Sequence, residues 1–276
     1  DPEDRQSVSK PVEKYDARKI VTGEAQYTAD YRRQFPDLAE AAVLRSEIAH
    51  GHVTDIDTSE AEAMEGVYAV LTPWSEEVPD TVYTSAGQGY PEPTPWDLRV
   101  LREKVRMVGD PIAAVAAVDG QTADRAARKI QVEYEELEPV VDYERATEPD
   151  APQIHDAADI ENKQRGHDYE RNLQSSFEGE IGDVDEAEAE AAEVIETEWK
   201  TPYQSHCVPE PHTTIAQRDE DNRYHLISST QVPYHTRRQL AHLFDIPIRD
   251  IRVEKPRIGA GFGSKQRGPT RDTDDR

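Results

Sequence analysis

The chain has 276 residues, enough for two domains that each bury their own core. Its 57 acidic residues against 32 basic ones give a net charge of −25, which argues against a nucleic-acid partner because phosphates would be repelled. The single cysteine, Cys207, excludes an internal disulfide and excludes an iron–sulfur cluster or cysteine-type zinc site held by this chain alone.

Acidic residues are spread over the whole length while the apolar residues keep regular patterns, so the charge belongs to the skin of a folded protein. Such a halophilic, acidic surface suits a high-salt cytoplasm, where screening removes the self-repulsion. No run approaches the roughly 20 apolar residues that span a bilayer, and the start, Asp1-Pro2-Glu3-Asp4, has no signal pattern. A cytoplasmic protein with no membrane partner is therefore expected.

Residues 1–19 read as a polar, extended lead-in, and Ile20–Tyr27 as a turn entering a short strand. Ala42–Ser46 and His52–Asp57 are strand-like, and Thr58–Met64 predicts a capped helix closed by Gly66. Val67–Thr72 is a continuous apolar strand, followed by a proline-rich surface loop from Pro73 to Pro95. Ile112–Val118, apolar on both faces, predicts a buried strand. Asp119-Gly120 then turns the chain into a helix over Thr122–Lys129, and Ile130–Tyr134 alternates as another strand. Residues 20–143 thus predict a compact α+β domain.

Residues 144–179 are polar, proline-bearing and weakly patterned, as expected of a linker or an arm laid over a surface. A second unit, residues 180–266, follows. Asp183–Ala191 predicts an acidic helix, Val194–Trp199 and Tyr224–Ser229 strands, and Tyr234–Leu243 an amphipathic helix. Ile251–Glu254 then leads into Gly259-Ala260-Gly261-Phe262-Gly263-Ser264-Lys265-Gln266. Glycines at every second position let backbone N–H groups approach a bulky anion, because no Cβ blocks the way. The tail, 267–276, offers nothing apolar to anchor it.

Ordered segments in both units carry a resemblance. Thr22-Gly23-Glu24-Ala25-Gln26-Tyr27, Gly66–Thr72, Val108–Val115 and Val132–Leu137 resemble the a/b hammerhead domain of the xanthine dehydrogenase and aldehyde oxidase family. Gly182-Asp183-Val184, His206–His212, Ser229-Thr230-Gln231 and the glycine loop resemble the start of that family's molybdopterin-binding domain. The resemblance implies an α+β fold, a hammerhead-like domain followed by an incomplete molybdopterin-binding domain. It implies a molybdenum–molybdopterin cofactor, with the cytosine dinucleotide form left open. Iron–sulfur clusters and FAD are implied on partner chains.

By the same resemblance Gln231 is the glutamine whose amide hydrogen-bonds an oxo ligand of the molybdenum. Gly261, Phe262 and Gly263 lie against the metal's ligands and the pterin, and Gln266 stands where a residue reaches toward substrate. Glutamine there leaves the substrate open between an aldehyde and an N-heterocycle such as a purine. Family enzymes oxidise these with water as the oxygen source and pass the electrons to their iron–sulfur and flavin partners. The general-base glutamate is expected beyond Gln266, so no catalytic residue and no metal ligand is assigned here. Ala260 replaces the second glycine of the usual run, which matters only if that position requires a positive φ.

Plainer readings compete. A dinucleotide-binding turn fits poorly, since the third glycine falls one position early and no helix pattern follows. His206, Glu210 and His212 are spaced as possible metal ligands, yet Pro209 and Pro211 deny them a common helical face, and a structural role is preferred. Cys207 reads as a small buried residue and the acidic run Asp185–Glu193 as a solvated helix face. Three functional readings stay open at this level: part of a molybdenum hydroxylase, a truncated inactive product, or a non-enzymatic assembly module. For an incomplete second domain, exposed apolar surface and oligomerisation are expected.

Overall fold

The computed structural model describes residues 10–84, 95–161 and 166–266. The predicted tail and part of the proline-rich loop lie outside those residues.

The first unit opens with helix α1 (Ala17–Val21), where an extended lead-in is expected, and a 3-10 segment, Thr28–Gln34. Tyr27 makes an isolated parallel bridge to Arg257 in place of a strand of its own. Strands β1 (Glu40–Arg45) and β2 (Gly51–Asp57) come next, then helix α2 (Ser59–Glu62) and strand β3 (Val67–Leu71). Helix α2 is shorter than predicted. Thr58 makes no side-chain cap, and its hydroxyl bonds Glu62 at 2.7 Å, while the Asp57 carboxylate accepts the Ser59 N–H.

Strands β4 (Lys104–Val105) and β5 (Pro111–Ala117), helix α3 (Gly120–Ala127) and strand β6 (Gln131–Glu136) complete the unit. Two three-stranded sheets form, ordered β1-β5-β3 and β4-β2-β6. The central place of β5 explains why it is apolar on both faces, whereas β3, equally apolar in sequence, is an edge strand with Tyr68 exposed. Asp119 caps α3 by accepting the Thr122 N–H at 2.7 Å.

The core is rich in alanine. Ala123, Ala126 and Ala127 of α3 pack on Ala42, Ala113, Val115 and Ala117, and such short side chains let the helix lie close to the sheet. Leu44, Ile56 and Val132 also touch the second cluster around Val53, Val105 and Ile112, so the two sheets share one interior.

Within the segment predicted as a linker or arm, residues 144–161 are laid over this unit and Asn172 joins them. Asn172 is in the left-handed region, and its amide donates to the carbonyls of Ala146 and Pro152 and accepts the N–H of Ile154. Arg106 binds Asp159 at 2.6 Å, and Lys104 binds Asp156 at 3.0 Å. His155 sits among these cations, 3.6 Å from Asp97. Burial, reinforced by the Arg106 charge, pushes its imidazolium down to about 4, so it is neutral near pH 7 and makes no ion pair with Asp97.

The second unit contains helix α4 (Val184–Glu190), strands β7 (Thr214–Arg218) and β8 (Tyr224–Ser228), helix α5 (Pro233–Leu243) and strand β9 (Ile251–Glu254). The predicted strand Val194–Trp199 does not form. Its alternating sequence suits a strand, but among the described residues no strand pairs with it, and Trp199 is 86% exposed. The third strand is β7 instead, antiparallel to β8, while β8 and β9 run parallel. Helix α5 makes the crossover between them, starting with Pro233 in its first turn and burying Leu240 against Leu226 and Ile251.

The two units touch directly. Asp16 binds Arg257 at 3.0 Å, the His242 ring meets Trp96 edge-on at 4.4 Å, and His242 bonds the Val82 carbonyl. Among the described residues no helix is long and apolar enough to cross a membrane.

Candidate functional site

Because β8 and β9 are parallel neighbours, their carboxyl ends open on the same side of the sheet. Such ends form the crevice where open α/β sheets bind ligands. Ser229-Thr230-Gln231 leaves the end of β8, and the glycine loop leaves the end of β9, so topology delivers both predicted segments to one place.

Hydrogen bonds then join them. The Gln231 N–H donates to the Lys265 carbonyl at 2.8 Å, and the Thr230 hydroxyl reaches the same carbonyl at 3.3 Å. The Gly263 N–H donates to Gln231 Oε1 at 3.1 Å. With its carbonyl oxygen occupied by a donor, the Gln231 amide leaves Nε2, a pure donor, as the end that this bond does not engage.

The loop owes its shape to unusual backbone. Ala260, Phe262 and Gly263 have φ of +78°, +49° and +98°. The substitution at Ala260 therefore falls on a position that does require the left-handed region, at a cost of about 1–2 kcal/mol for an L-residue. Gly261 is glycine for a different reason: a Cβ there would stand 2.4 Å from Gln231 Oε1. Phe262 projects outward, 77% exposed. Among the described residues no backbone carbonyl accepts from the N–H of Gly261 or Phe262. A 3-10 turn, Ser264–Gln266, ends the loop, and the Gln266 N–H donates to the Gly263 carbonyl at its margin.

Glu210 and His212, read from sequence as possible ligands but better as structural residues, both serve the loop. Glu210 binds Lys265 at 2.6 Å, and His212 Nε2 lies 3.2 Å from the Ser264 carbonyl. His206 Nε2 is the nearest atom to a Cβ built at Gly263, at 3.7 Å. Among the described residues no group of histidine, cysteine and acidic side chains could hold a metal ion. Cys207 is exposed, contrary to the buried position expected: it lies in the largely exposed stretch 194–207, whose contacts come from other residues, Lys200 with Glu144 and Tyr203 with Tyr143. Sequence reading did not find the pairing of Glu210 with Lys265. A lysine in a glycine loop reads as solvated, and its near-complete burial is a tertiary fact.

The donor set fits an anionic, pterin-type group. The Gln231 amide nitrogen and the N–H groups of Gly261 and Phe262, which donate to no backbone carbonyl among the described residues, stand together at a strand-end crevice, and the missing Cβ at Gly261 is what lets the Gln231 amide lie against the loop.

Comparisons with known proteins define the class. Residues 22–138 match the model of the aldehyde oxidase and xanthine dehydrogenase a/b hammerhead domain, and residues 166–273 match that of the molybdopterin cofactor-binding domain. The chain belongs to the xanthine dehydrogenase and aldehyde oxidase family and corresponds to part of its molybdenum-binding subunit. It is 37% identical to a probable hypoxanthine oxidase of Escherichia coli O157:H7 over 96% of its own length and 30% of that protein's. It is 32% identical to the nicotinate dehydrogenase large molybdopterin subunit of Eubacterium barkeri, covering 95% of this chain and 56% of that one. The aldehyde oxidoreductase of Desulfovibrio gigas superimposes with a TM-score of 0.73 at 26% identity, over 91% of this chain and 27% of that structure. The chain thus spans about 30% of the length of the E. coli relative.

Proposed function

We propose that this chain forms one wall of the cofactor site of a molybdenum hydroxylase acting on an aldehyde or an N-heterocycle such as a purine. The observation that carries the reading is the 3.1 Å bond from the Gly263 N–H to Gln231 Oε1, which engages the amide oxygen and leaves its nitrogen as the donor beside the N–H groups of Gly261 and Phe262. When bound, the molybdenum–pterin group, in its plain or cytosine dinucleotide form, supplies oxidation with water as the oxygen source.

This chain's own residues bind and orient. Gln231 Nε2 donates to an anionic ligand of the group, Gly261 and Phe262 offer N–H donors, and Gly263 holds the glutamine side chain in register. Gln266, at the end of the 3-10 turn, presents an uncharged donor and acceptor to substrate. Electrons leave through iron–sulfur and FAD partner chains, since one cysteine cannot hold a cluster. The names of the relatives support the substrate class: one is a probable hypoxanthine oxidase, one a nicotinate dehydrogenase subunit and one an aldehyde oxidoreductase.

The test is molybdenum analysis and fluorescence of released pterin on the chain assembled with its partner subunits and any further part of the molybdenum subunit. Stoichiometric pterin that Gln231→Ala largely removes is expected. An assembled wild-type complex free of both molybdenum and pterin would overturn the reading.

One observation favours a second reading, an assembly module. Phe177, Ile181, Ile195, Trp199 and Tyr203 are all exposed along one stretch. A stable complex with an iron–sulfur subunit that never contains pterin would select that alternative.

A further inference from the structure

Lys265 is the most deeply buried cation of the described residues, 1% exposed, and it lies at one end of the glycine loop. Its ammonium meets Glu210 Oε2 at 2.6 Å. The same oxygen accepts the N–H of Gly259, at the other end of the loop, also at 2.6 Å. One carboxylate oxygen therefore closes the seven-residue loop 259–265 across its base. The approach depends on Gly259, because a Cβ there would come within 2.7 Å of Glu210 Cβ. The remaining carboxylate oxygen, Oε1, is buried and has no hydrogen-bond partner among the described residues, so the carboxylate's charge is balanced through Oε2 alone.

We propose that Glu210 and Lys265 are positioning residues, a buried clasp that holds the loop in its positive-φ shape and so fixes the direction of the Gln231 amide. The inference rests on the cofactor reading above for its purpose but not for its geometry. The link to Gln231 is short. The Lys265 carbonyl receives the Gln231 N–H and the Thr230 hydroxyl, and Gly263, inside the clasped loop, holds Gln231 Oε1. Opening the clasp frees Gly259 and Lys265 together and removes what keeps Ala260, Phe262 and Gly263 in the left-handed region. The pair is buried, so removing either partner strands a charge in a dry site, whereas removing both charges does not.

The experiment compares Lys265→Met, the milder Glu210→Gln and the double variant Glu210→Gln/Lys265→Met, which leaves no buried charge. Site-resolved hydrogen exchange and melting temperature are measured on the full chain, and molybdenum and pterin content on the assembled enzyme. Exchange at Gly259 and Gly263, whose N–H groups are hydrogen-bonded in the clasped loop, is expected to rise at least about tenfold in Lys265→Met, while amides of β7–β9 change far less. In the double variant the melting temperature is expected to return toward wild type while the loop amides stay fast and pterin stays low. If loop protection and pterin content return together with the melting temperature, the pair is merely structural and the proposal fails. It also fails if loop exchange is unchanged in all three variants. Should Lys265→Met not fold, Glu210→Gln decides on the same exchange readout. A wild-type enzyme without pterin overturns the cofactor reading, and the exchange result still decides on the clasp.

Discussion

Replacing Gly261 by alanine separates the geometry of the site from the stability of the fold. An added Cβ would stand 2.4 Å from Gln231 Oε1, 2.6 Å from Cδ and 3.1 Å from Cγ, so something must move by about 1 Å to reach ordinary van der Waals contact. The backbone of Gly261 is not in the left-handed region, so alanine is not strained by its own conformation. What yields is the end of the Gln231 side chain, which is flexible, and its 3.1 Å bond with Gly263 is lost. Losing one partly buried hydrogen bond costs about 0.5–1.5 kcal/mol. Reduced freedom of the unfolded chain returns about 0.4–1 kcal/mol. The net change is then at most about 1 kcal/mol, a melting shift of roughly 2–4 °C. The amide, however, is displaced by about 1 Å, an error on the scale that costs about a hundredfold in catalysis. Calorimetry, the side-chain amide resonance of Gln231 and the pterin content of the assembled enzyme measure these effects. A variant that keeps both the resonance position and full pterin would refute the reasoning. So would one that melts more than 10 °C lower, because Gly261 would then be supporting the fold and not the amide.

Other expectations follow from individual residues. Gly263→Ala meets only an ordinary contact, His206 Nε2 at 3.7 Å, but its φ of +98° should make it lose at least about 1 kcal/mol by chemical denaturation; an unchanged midpoint would show that the loop is not held in that conformation. Ala260→Gly should leave stability level or raise it by up to about 1 kcal/mol, since relief at φ +78° outweighs the greater freedom of glycine in the unfolded chain, and a clear loss would contradict the strain assigned there. His155 has its folded pKa pushed down to about 4 against an ordinary 6.5, so between those values the unfolded chain binds the extra proton. Stability is therefore full above about pH 6.5 and falls as the pH drops toward 4, by at most about 3 kcal/mol; His155→Gln should flatten that slope in urea titrations at pH 7 and pH 4.5. With a net charge of −25, the chain should melt at higher temperature in 2 M KCl than in 0.1 M, and insensitivity to salt would detach the acidic surface from a high-salt habitat.

Much of the first unit could be read from periodicity. Strand β5 and helix α3 declare themselves through a doubly apolar run and an alanine face behind an aspartate cap, and both fall within two residues of where the pattern puts them. Local signals sufficed there because the doubly apolar run and the capped alanine face each mark their own burial, although the strands that flank β5 lie more than 40 residues away. The second unit was harder. Val194–Trp199 alternates as a strand should yet pairs with no strand among the described residues, while Thr214–Arg218, with Ile215 as its only fully buried residue, was passed over and forms the sheet edge. A strand exists by virtue of its neighbour, and a neighbour cannot be read from one segment.

The site divides in the same way. Sequence by itself singled out two segments, Ser229–Gln231 and the loop 259–266, the first through the family resemblance and the second through its alternating glycines as well. It also determined the acidic skin and the lack of any cluster-binding cysteine set. Only the tertiary structure decided that the two segments meet, through the parallel pairing of β8 with β9 that sends both to the same edge of the sheet. It decided that Ala260 sits where glycine would be unstrained, that Cys207 lies in the open, and that Lys265 is buried on Glu210. These depend on contacts between residues 35 to 55 positions apart, or on contacts that never form, and chain connectivity brings such groups together only after the sheet has been assembled.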